Sequence, residues 1–331
     1  MVAGIDEIEI IFDSLNIKVH NYTRVDTLSN FLVKVETNKG NYFIKIYDNK
    51  IEAKTGYKLS NLYPILLKNN VPVPKIVKYD DSSTIIKHPY LIITEVEGVM
   101  LTEAIHNMND KERILFFYDF GTIIARIHSI TFKQFGETID GITVERYSEA
   151  NDKGPFDSWK DMHKEMIDYR LSIFKNSYFE DLIEPIRAWF NKNSNLIDYE
   201  IMPRLLHIDL NQKNIFVKDN KISGIIDFDG AFIGHNEEEL MRTEGANFYN
   251  AQELKESFFK GYEEIIKLDY NYEKRRTYYY FARLLVHIDC LIEYGIKYVS
   301  NVEKEQEIMR KEITKLLNNK PVKFDKNKQN T

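Results

Sequence analysis

Leu205-Leu206-His207-Ile208-Asp209-Leu210-Asn211-Gln212-Lys213-Asn214-Ile215-Phe216-Val217, followed by Gly224-Ile225-Ile226-Asp227-Phe228-Asp229, is the stretch that decides how this chain is read. Leu205-Leu206 and Ile215-Phe216-Val217 are short apolar runs suited to buried strands, and a polar loop joins them. The loop carries His207 and Asp209, with Asn214 five residues after the Asp. Gly224-Ile225-Ile226 is another apolar strand, and it ends in carboxylates. Phosphoryl transfer needs these parts: a carboxylate that orients a substrate hydroxyl or takes its proton, and oxygen ligands that hold magnesium across a triphosphate. Each piece also has a plainer reading. Asp and Asn are common turn residues, and Asp227 could simply cap the next element. Their order and their placement between strands favour chemistry over turn formation. A second copy of the tripeptide, His287-Ile288-Asp289, has no Asn five residues on. It sits in an apolar helical run from Tyr278 to Val286, which gives it a structural or at most substrate-facing role.

Upstream, residues 4–15 read as an acidic amphipathic helix with Ile5, Ile8, Ile11, Phe12 and Leu15 on one face. The period then changes to two. Phe31–Thr37 and Asn41–Tyr47 alternate around the turn Asn38-Lys39-Gly40, which predicts a β-hairpin with Lys45 late in its second strand. A helix is expected from Ile51, kinked or interrupted at Pro64. Val71-Pro72-Val73-Pro74 ends it, and strands follow at Lys75–Tyr79 and Pro89–Thr94. From Leu101 the chain is mostly helical apart from Arg204–Phe228. This change of texture near Gly98 predicts two domains, 1–97 and 98–331.

The composition sets outer bounds. At 331 residues with 43% hydrophobic content the chain can form two lobes with a sizeable core. A net charge of -6 argues against non-specific nucleic-acid binding and is compatible with a cationic small substrate. One cysteine, Cys290, forms no internal disulfide and fits a reducing compartment. No signal peptide and no membrane-spanning run is visible, so a cytoplasmic protein is expected. The eight histidines show no transition-metal ligand spacing.

These motifs together resemble the aminoglycoside phosphotransferase and choline kinase family, over residues 20–300 in motif order. The resemblance implies an α+β, bilobal protein-kinase-like fold, with a small β-rich N-terminal nucleotide-binding lobe and a larger, mostly helical C-terminal lobe. It implies an enzyme that moves the γ-phosphate of ATP or GTP, with Mg2+, to a hydroxyl of a small molecule. By the same resemblance Asp209 is the catalytic base or hydroxyl-orienting residue, Asn214 and Asp227 are magnesium ligands, and His207 supports the loop. Lys45 contacts the α- and β-phosphates, and Glu52, the only glutamate between Lys45 and Glu95, is its assigned partner. Thr27 and Ser29 stand in the phosphate-covering loop. Phe43 stacks on the base, and the backbones of Thr94 and Val96 form the hinge.

The chain departs from protein kinases in having Asn211 two residues after Asp209, Asp227-Phe228-Asp229 in place of Asp-Phe-Gly, and no Ala-Pro-Glu. These departures argue against a protein substrate. Ile233–Leu240 resembles the family's Gly-Asp-Pro…Asp-Leu segment, with His235, Asn236 and Glu239 replacing its usual residues. The run Glu237-Glu238-Glu239 reads first as a solvated face or a helix N-terminus. The family's substrate pocket places Glu238, Glu239, Asp289 and Glu293 near an amine-bearing acceptor. The expected acceptor is an aminoglycoside-type antibiotic, an antibiotic-resistance activity. A choline, sugar-amine or macrolide kinase and a non-catalytic kinase-like nucleotide-binding or coat protein remain as alternatives. The intact set of Lys45, Asp209, Asn214 and Asp227 opposes the last.

Overall fold

The computed structural model describes residues 5–25, 31–49, 52–248 and 251–319. An opening helix α1 (Ile5–Ser14) leads to three antiparallel strands, β1 (Val19–Val25), β2 (Phe31–Thr37) and β3 (Gly40–Ile46). The alternation of residues 31–46 sets the β2–β3 register, from Phe31 opposite Ile46 to Thr37 opposite Gly40. Helix α2 (Ala53–Lys68) follows, then β4 (Ile76–Asp80) and β5 (Tyr90–Thr94), and the five strands order as β1-β2-β3-β5-β4. Of the two expectations at Pro64, an interruption does not occur, since α2 runs through it. Proline's fixed φ is already helical, so the local cost falls on one lost N–H donor and its crowding.

Side chains on a strand alternate between faces, and here that divides labour. Ile44 and Ile46 join Val33, Val35 and Ile92 in a core that Ile8, Ile11 and Phe12 of α1 cover. Phe43 and Lys45 therefore belong to the opposite face. A second sheet pairs β6 (Val99–Met100) with β8 (Ile215–Lys218), and β8 with β9 (Lys221–Ile225). Gly98 enters β6 at φ +108°, where any Cβ would overlap the Val217 carbonyl. Only glycine fits both the turn and that approach.

The chain divides into two compact units: Met1–Phe116 with Thr138–Thr143 and Gln212–Asp229, and Phe117–Glu137 with Val144–Asn211 and Gly230–Thr331. The change of texture near Gly98 falls inside the first.

The remaining elements are the short helix α3 (Leu101–Ala104), α4 (Asp110–His128), α5 (Trp159–Ile173), α6 (Ile183–Asn193), β7 (Arg204–Leu206), β10 (Phe232–Gly234), α7 (Asn236–Asn247), α8 (Gln252–Glu263), α9 (Tyr272–Tyr294) and α10 (Val302–Leu317). Helix α5 starts where Ser158 accepts the Asp161 N–H at 3.1 Å, and α10 where Asn301 accepts that of Lys304 at 3.0 Å. Strands β7 and β10 pair antiparallel, Leu206 opposite Phe232. Among the described residues no helix is long and apolar enough to cross a membrane.

The core of the second unit centres on Trp159, whose indole donates to the Tyr279 hydroxyl at 3.0 Å. His163 lies beside it, 1% exposed and ringed by Trp159, Phe190, Tyr278 and Tyr279. Burial drives its pKa from the ordinary 6.5 down to about 3. The folded state thus refuses a proton that the unfolded chain takes, so this histidine's contribution is present above pH 6.5 and is lost as pH falls toward 3. His163→Phe is expected to flatten the fall in unfolding free energy between pH 6.5 and 4 by up to about 1.4 kcal/mol per pH unit. Denaturant melts of the two proteins at several pH values check this, and parallel curves would refute it.

Candidate active site

In the first unit, pairing of Ile215 with Ile225 sets the geometry. Asn214, the last residue of a 3₁₀ turn before β8, and Asp227, two residues beyond β9, come to the same end of one hairpin. The Ile226 N–H donates to the Asn214 carbonyl at 3.0 Å and closes that end. Asp227 sits at φ +69°, a left-handed conformation that Asp tolerates better than most side chains. Tyr63 of α2 packs edge-on against Phe228 at 6.0 Å, and its phenol is pushed well up by burial and then by the Asp229 and Asp227 charges.

Lys45 Nζ reaches Asp229 Oδ2 at 3.0 Å, and the buried Lys58 donates to the Asp229 carbonyl at 3.0 Å. Asp229 Oδ1 is buried without a hydrogen-bond partner among the described residues. The glutamate assigned to Lys45 is placed elsewhere. Glu52 lies at the exposed start of α2, where Asn49 Nδ2 donates to it at 2.8 Å and the Asp48 N–H at 3.4 Å. The Thr94 N–H is spent on the Lys75 carbonyl at 2.9 Å, and Val96 packs on Gly224. Between them Glu95 pairs with Lys34 at 2.6 Å and accepts from Asn41 at 2.7 Å. That ties residues 94–96 to the sheet beside Phe43. Thr27 and Ser29 lie outside the described residues.

In the second unit, Leu206 ends β7 and the chain turns through His207, Ile208 and Asp209. Ile208 has φ +72°, unusual for a β-branched residue and costly unless its surroundings enforce it. The enforcement is Glu239. Its fully buried carboxylate accepts the N–H of His207 at 3.2 Å and that of Ile208. His128 Nε2 stands 2.7 Å from the same carboxylate, and these partners hold its pKa low against the burial that opposes them. Behind it, His128 Nδ1 meets the Tyr262 hydroxyl at 2.9 Å, and Asn236 donates to that hydroxyl at 2.9 Å. One proton arrangement satisfies the whole chain: Nε2–H donating to Glu239, with Nδ1 accepting from Tyr262. Asp209 is held locally, its N–H on His207 Nδ1 at 3.2 Å and its Oδ1 accepting from Asn211 Nδ2 at 2.9 Å.

Removing Glu239 leaves the N–H groups of His207 and Ile208 and a buried imidazole without their acceptor. Glu239→Ala is expected to lower unfolding free energy by about 3–5 kcal/mol. Chemical denaturation checks this, and a change under 1 kcal/mol would show the loop holds itself.

The three glutamates of α7 correct the expectation of a solvated face. Glu237, Glu238 and Glu239 are all buried, at the N-terminus of α7. Burial is tolerated because each has a partner: Arg275 for Glu237, Arg242 for Glu238 at 2.8 Å, and the loop with His128 for Glu239. Asp289 is buried too, on Arg170, and Glu293 alone of the four acidic candidates is exposed. The second His-Ile-Asp copy lies in α9 as expected. Sequence reasoning missed Asp229, Lys58 and His128. Lys58 had a signal, since it stands four residues before Leu62 on the buried face of α2.

The phosphotransferase enzyme family matches residues 25–278. A probable ketoamine kinase of Vibrio cholerae is 26% identical over 273 residues, covering 80% of this chain and 83% of that one. Similar solved structures include a thermostable mutant of aminoglycoside phosphotransferase APH(4)-Ia (TM-score 0.67, 14% identity, covering 94% of this chain and 98% of that one). A putative fructosamine-3-kinase from Haemophilus somnus superposes with TM-score 0.62 at 17% identity, covering 92% and 95%. At such identities the structures bear on the fold, which is protein-kinase-like. The family match spans most of the chain, and the chain belongs to the phosphotransferase enzyme family, as a kinase of small molecules.

Proposed function

We propose that this protein transfers the γ-phosphoryl group of a magnesium-bound nucleoside triphosphate to a hydroxyl of a ketoamine, a sugar carrying an amine substituent. The observation that carries the reading is the loop of Asp209, fixed in a strained conformation by a buried carboxylate whose other partners are all satisfied. Strain that a structure maintains at such cost favours a role in positioning.

In this reading Asp209 accepts the hydrogen bond of the acceptor hydroxyl and takes its proton as the new P–O bond forms, while Asn211 fixes the carboxylate plane. Lys45 binds the α- and β-phosphates, and Asp229 rather than Glu52 holds it in place. Phe43 stacks on the base, the backbone at Thr94 and Val96 borders it, and Thr27 and Ser29 cover the phosphates. Asn214 and Asp227, at one end of the β8–β9 hairpin, offer oxygen ligands. An all-oxygen set suits magnesium, which takes few protein ligands and shares the rest with phosphate and water. When bound, the metal neutralises charge on the β- and γ-oxygens.

Two observations favour a ketoamine over the aminoglycoside first expected. The Vibrio cholerae relative is named a probable ketoamine kinase, whereas the aminoglycoside enzymes are similar at fold level only. And Glu238, Glu239 and Asp289 are buried on partners within the fold, which leaves Glu293 as the one exposed carboxylate among the four candidates for a polycation. The test is nucleotide turnover with magnesium, using ATP and GTP in turn, against a glucose-derived ketoamine, an aminoglycoside, choline and a macrolide. Ketoamine-dependent release of nucleoside diphosphate is expected. Turnover stimulated by another acceptor and not by the ketoamine would overturn the acceptor assignment.

A further inference from the structure

Helices α7 and α9 carry four arginines at buried or half-buried positions, and three hold carboxylates. Arg242 pairs with Glu238, Arg275 with Glu237 and Asp269, and Arg276 with Glu244 and Glu273. The fourth is Arg283, and among the described residues it has no ion pair and no hydrogen bond to a carboxylate. An unpaired charge withdrawn from water is costly, and a fold does not retain one without compensation from somewhere.

The room for this guanidinium is built in. Gly245 lies inside α7, where glycine costs about 1 kcal/mol relative to alanine. A Cβ there would overlap the Arg283 guanidinium, so the glycine makes space for the charge. Arg242 adds to the positive field. One end of it is committed to Glu238, and its Nε is buried with no hydrogen-bond partner among the described residues. Burial first, and then the Arg242 charge, hold the Arg283 pKa below its ordinary value, while Asp209 acts on it through space in the opposite direction. Tyr298, 38% exposed, feels the charges of both Arg283 and Asp209, so the three share one neighbourhood in the second unit.

We infer that Arg283, with Arg242 behind it and Gly245 making its space, is the receptor for a carboxylate on the acceptor whose hydroxyl is presented to Asp209. A guanidinium presents a fork of donors matched to a carboxylate. The inference rests on the small-molecule kinase reading and narrows it: the acceptor is zwitterionic, an amino-acid-derived ketoamine rather than one derived from a simple amine. A carboxylate suits the site better than a phosphate, because Arg242 is half-neutralised by Glu238 and leaves about one net positive charge to answer.

The test compares two acceptors that differ only in the carboxylate: the glucose ketoamine of glycine and that of methylamine. Wild-type protein and Arg283→Met are assayed for kcat and KM with each, and for the rise in melting temperature that each compound causes without nucleotide. Wild type is expected to favour the glycine compound by about tenfold or more, in KM rather than kcat. Arg283→Met should lose that preference and keep its KM for nucleotide and for the methylamine compound. Arg283→Lys should recover part of it.

Equal handling of both compounds by wild type overturns the carboxylate site and leaves the ketoamine reading intact. Stabilisation by the glycine compound alone, abolished in Arg283→Met but without turnover, sustains the carboxylate site and sinks the ketoamine reading. No stabilisation and no turnover with either compound sinks both. A fall in kcat with every acceptor at unchanged acceptor KM would put Arg283 on the transferring phosphoryl group instead, and the assignment would be wrong.

Discussion

Asp209→Ala is expected to lower phosphoryl transfer by about 10²–10⁴-fold while leaving nucleotide affinity unchanged. The separation between those readouts follows from how the loop is built. The strained turn at His207 and Ile208 is held through backbone N–H groups by Glu239, and Leu210 is held through its carbonyl by Asn247 at 3.1 Å. None of these contacts uses the Asp209 side chain. Its removal should therefore leave the loop in place and delete only the group that receives the hydroxyl proton. Single-turnover kinetics with the true acceptor, set beside a nucleotide titration, measures both quantities. Near-normal transfer by Asp209→Ala would refute the catalytic assignment outright.

Asp227→Asn should fail differently. Asparagine tolerates the left-handed backbone at φ +69°, so the hairpin end survives, whereas alanine there would add strain of its own. The loss of one carboxylate charge is then the main change. Transfer is expected to fall by about 10²-fold or more, with weakened binding of the magnesium nucleotide and partial recovery at high magnesium. Asp229→Asn, two residues further on, supplies the contrast. It breaks the ion pair that positions Lys45 and should weaken nucleotide binding with the magnesium requirement unaltered. Activity profiles against magnesium concentration distinguish the two variants. An Asp227→Asn protein with an unshifted magnesium profile would remove Asp227 from the metal.

Much of this was legible before any coordinates. Local pattern carried the β2–β3 hairpin, because period-two alternation and a Gly-containing turn act over neighbouring residues. The polar loop between β7 and β8 was legible for the same reason. Strand β1 was not. It lies at the sheet edge, most of its residues are exposed, and Val19–Val25 shows none of the alternation that burial on one face imposes. The partner of Lys45 was sought between residues 45 and 95, and it came from 184 residues away. Glu237 and Glu239 read as solvated because their partners, Arg275 and His128, are remote in sequence, whereas Arg242 stands only four residues after Glu238. Pairing across such separations is written in the tertiary fold and leaves no local trace.

The broken composition of the first unit bears on how the protein is made. Met1–Phe116 emerges from the ribosome with Val99 unpaired, since its partner Val217 belongs to a segment synthesised much later. Until Gln212–Asp229 arrives, Lys45 and Lys58 also lack the aspartate on which both converge. The five-stranded sheet can assemble early from near neighbours, but Lys45 gains its ion pair only once the hairpin of β8 and β9 returns. A nascent chain halted before that hairpin would hold a folded sheet whose Lys45 still awaits its counter-charge, a state open to chaperones and to proteolysis.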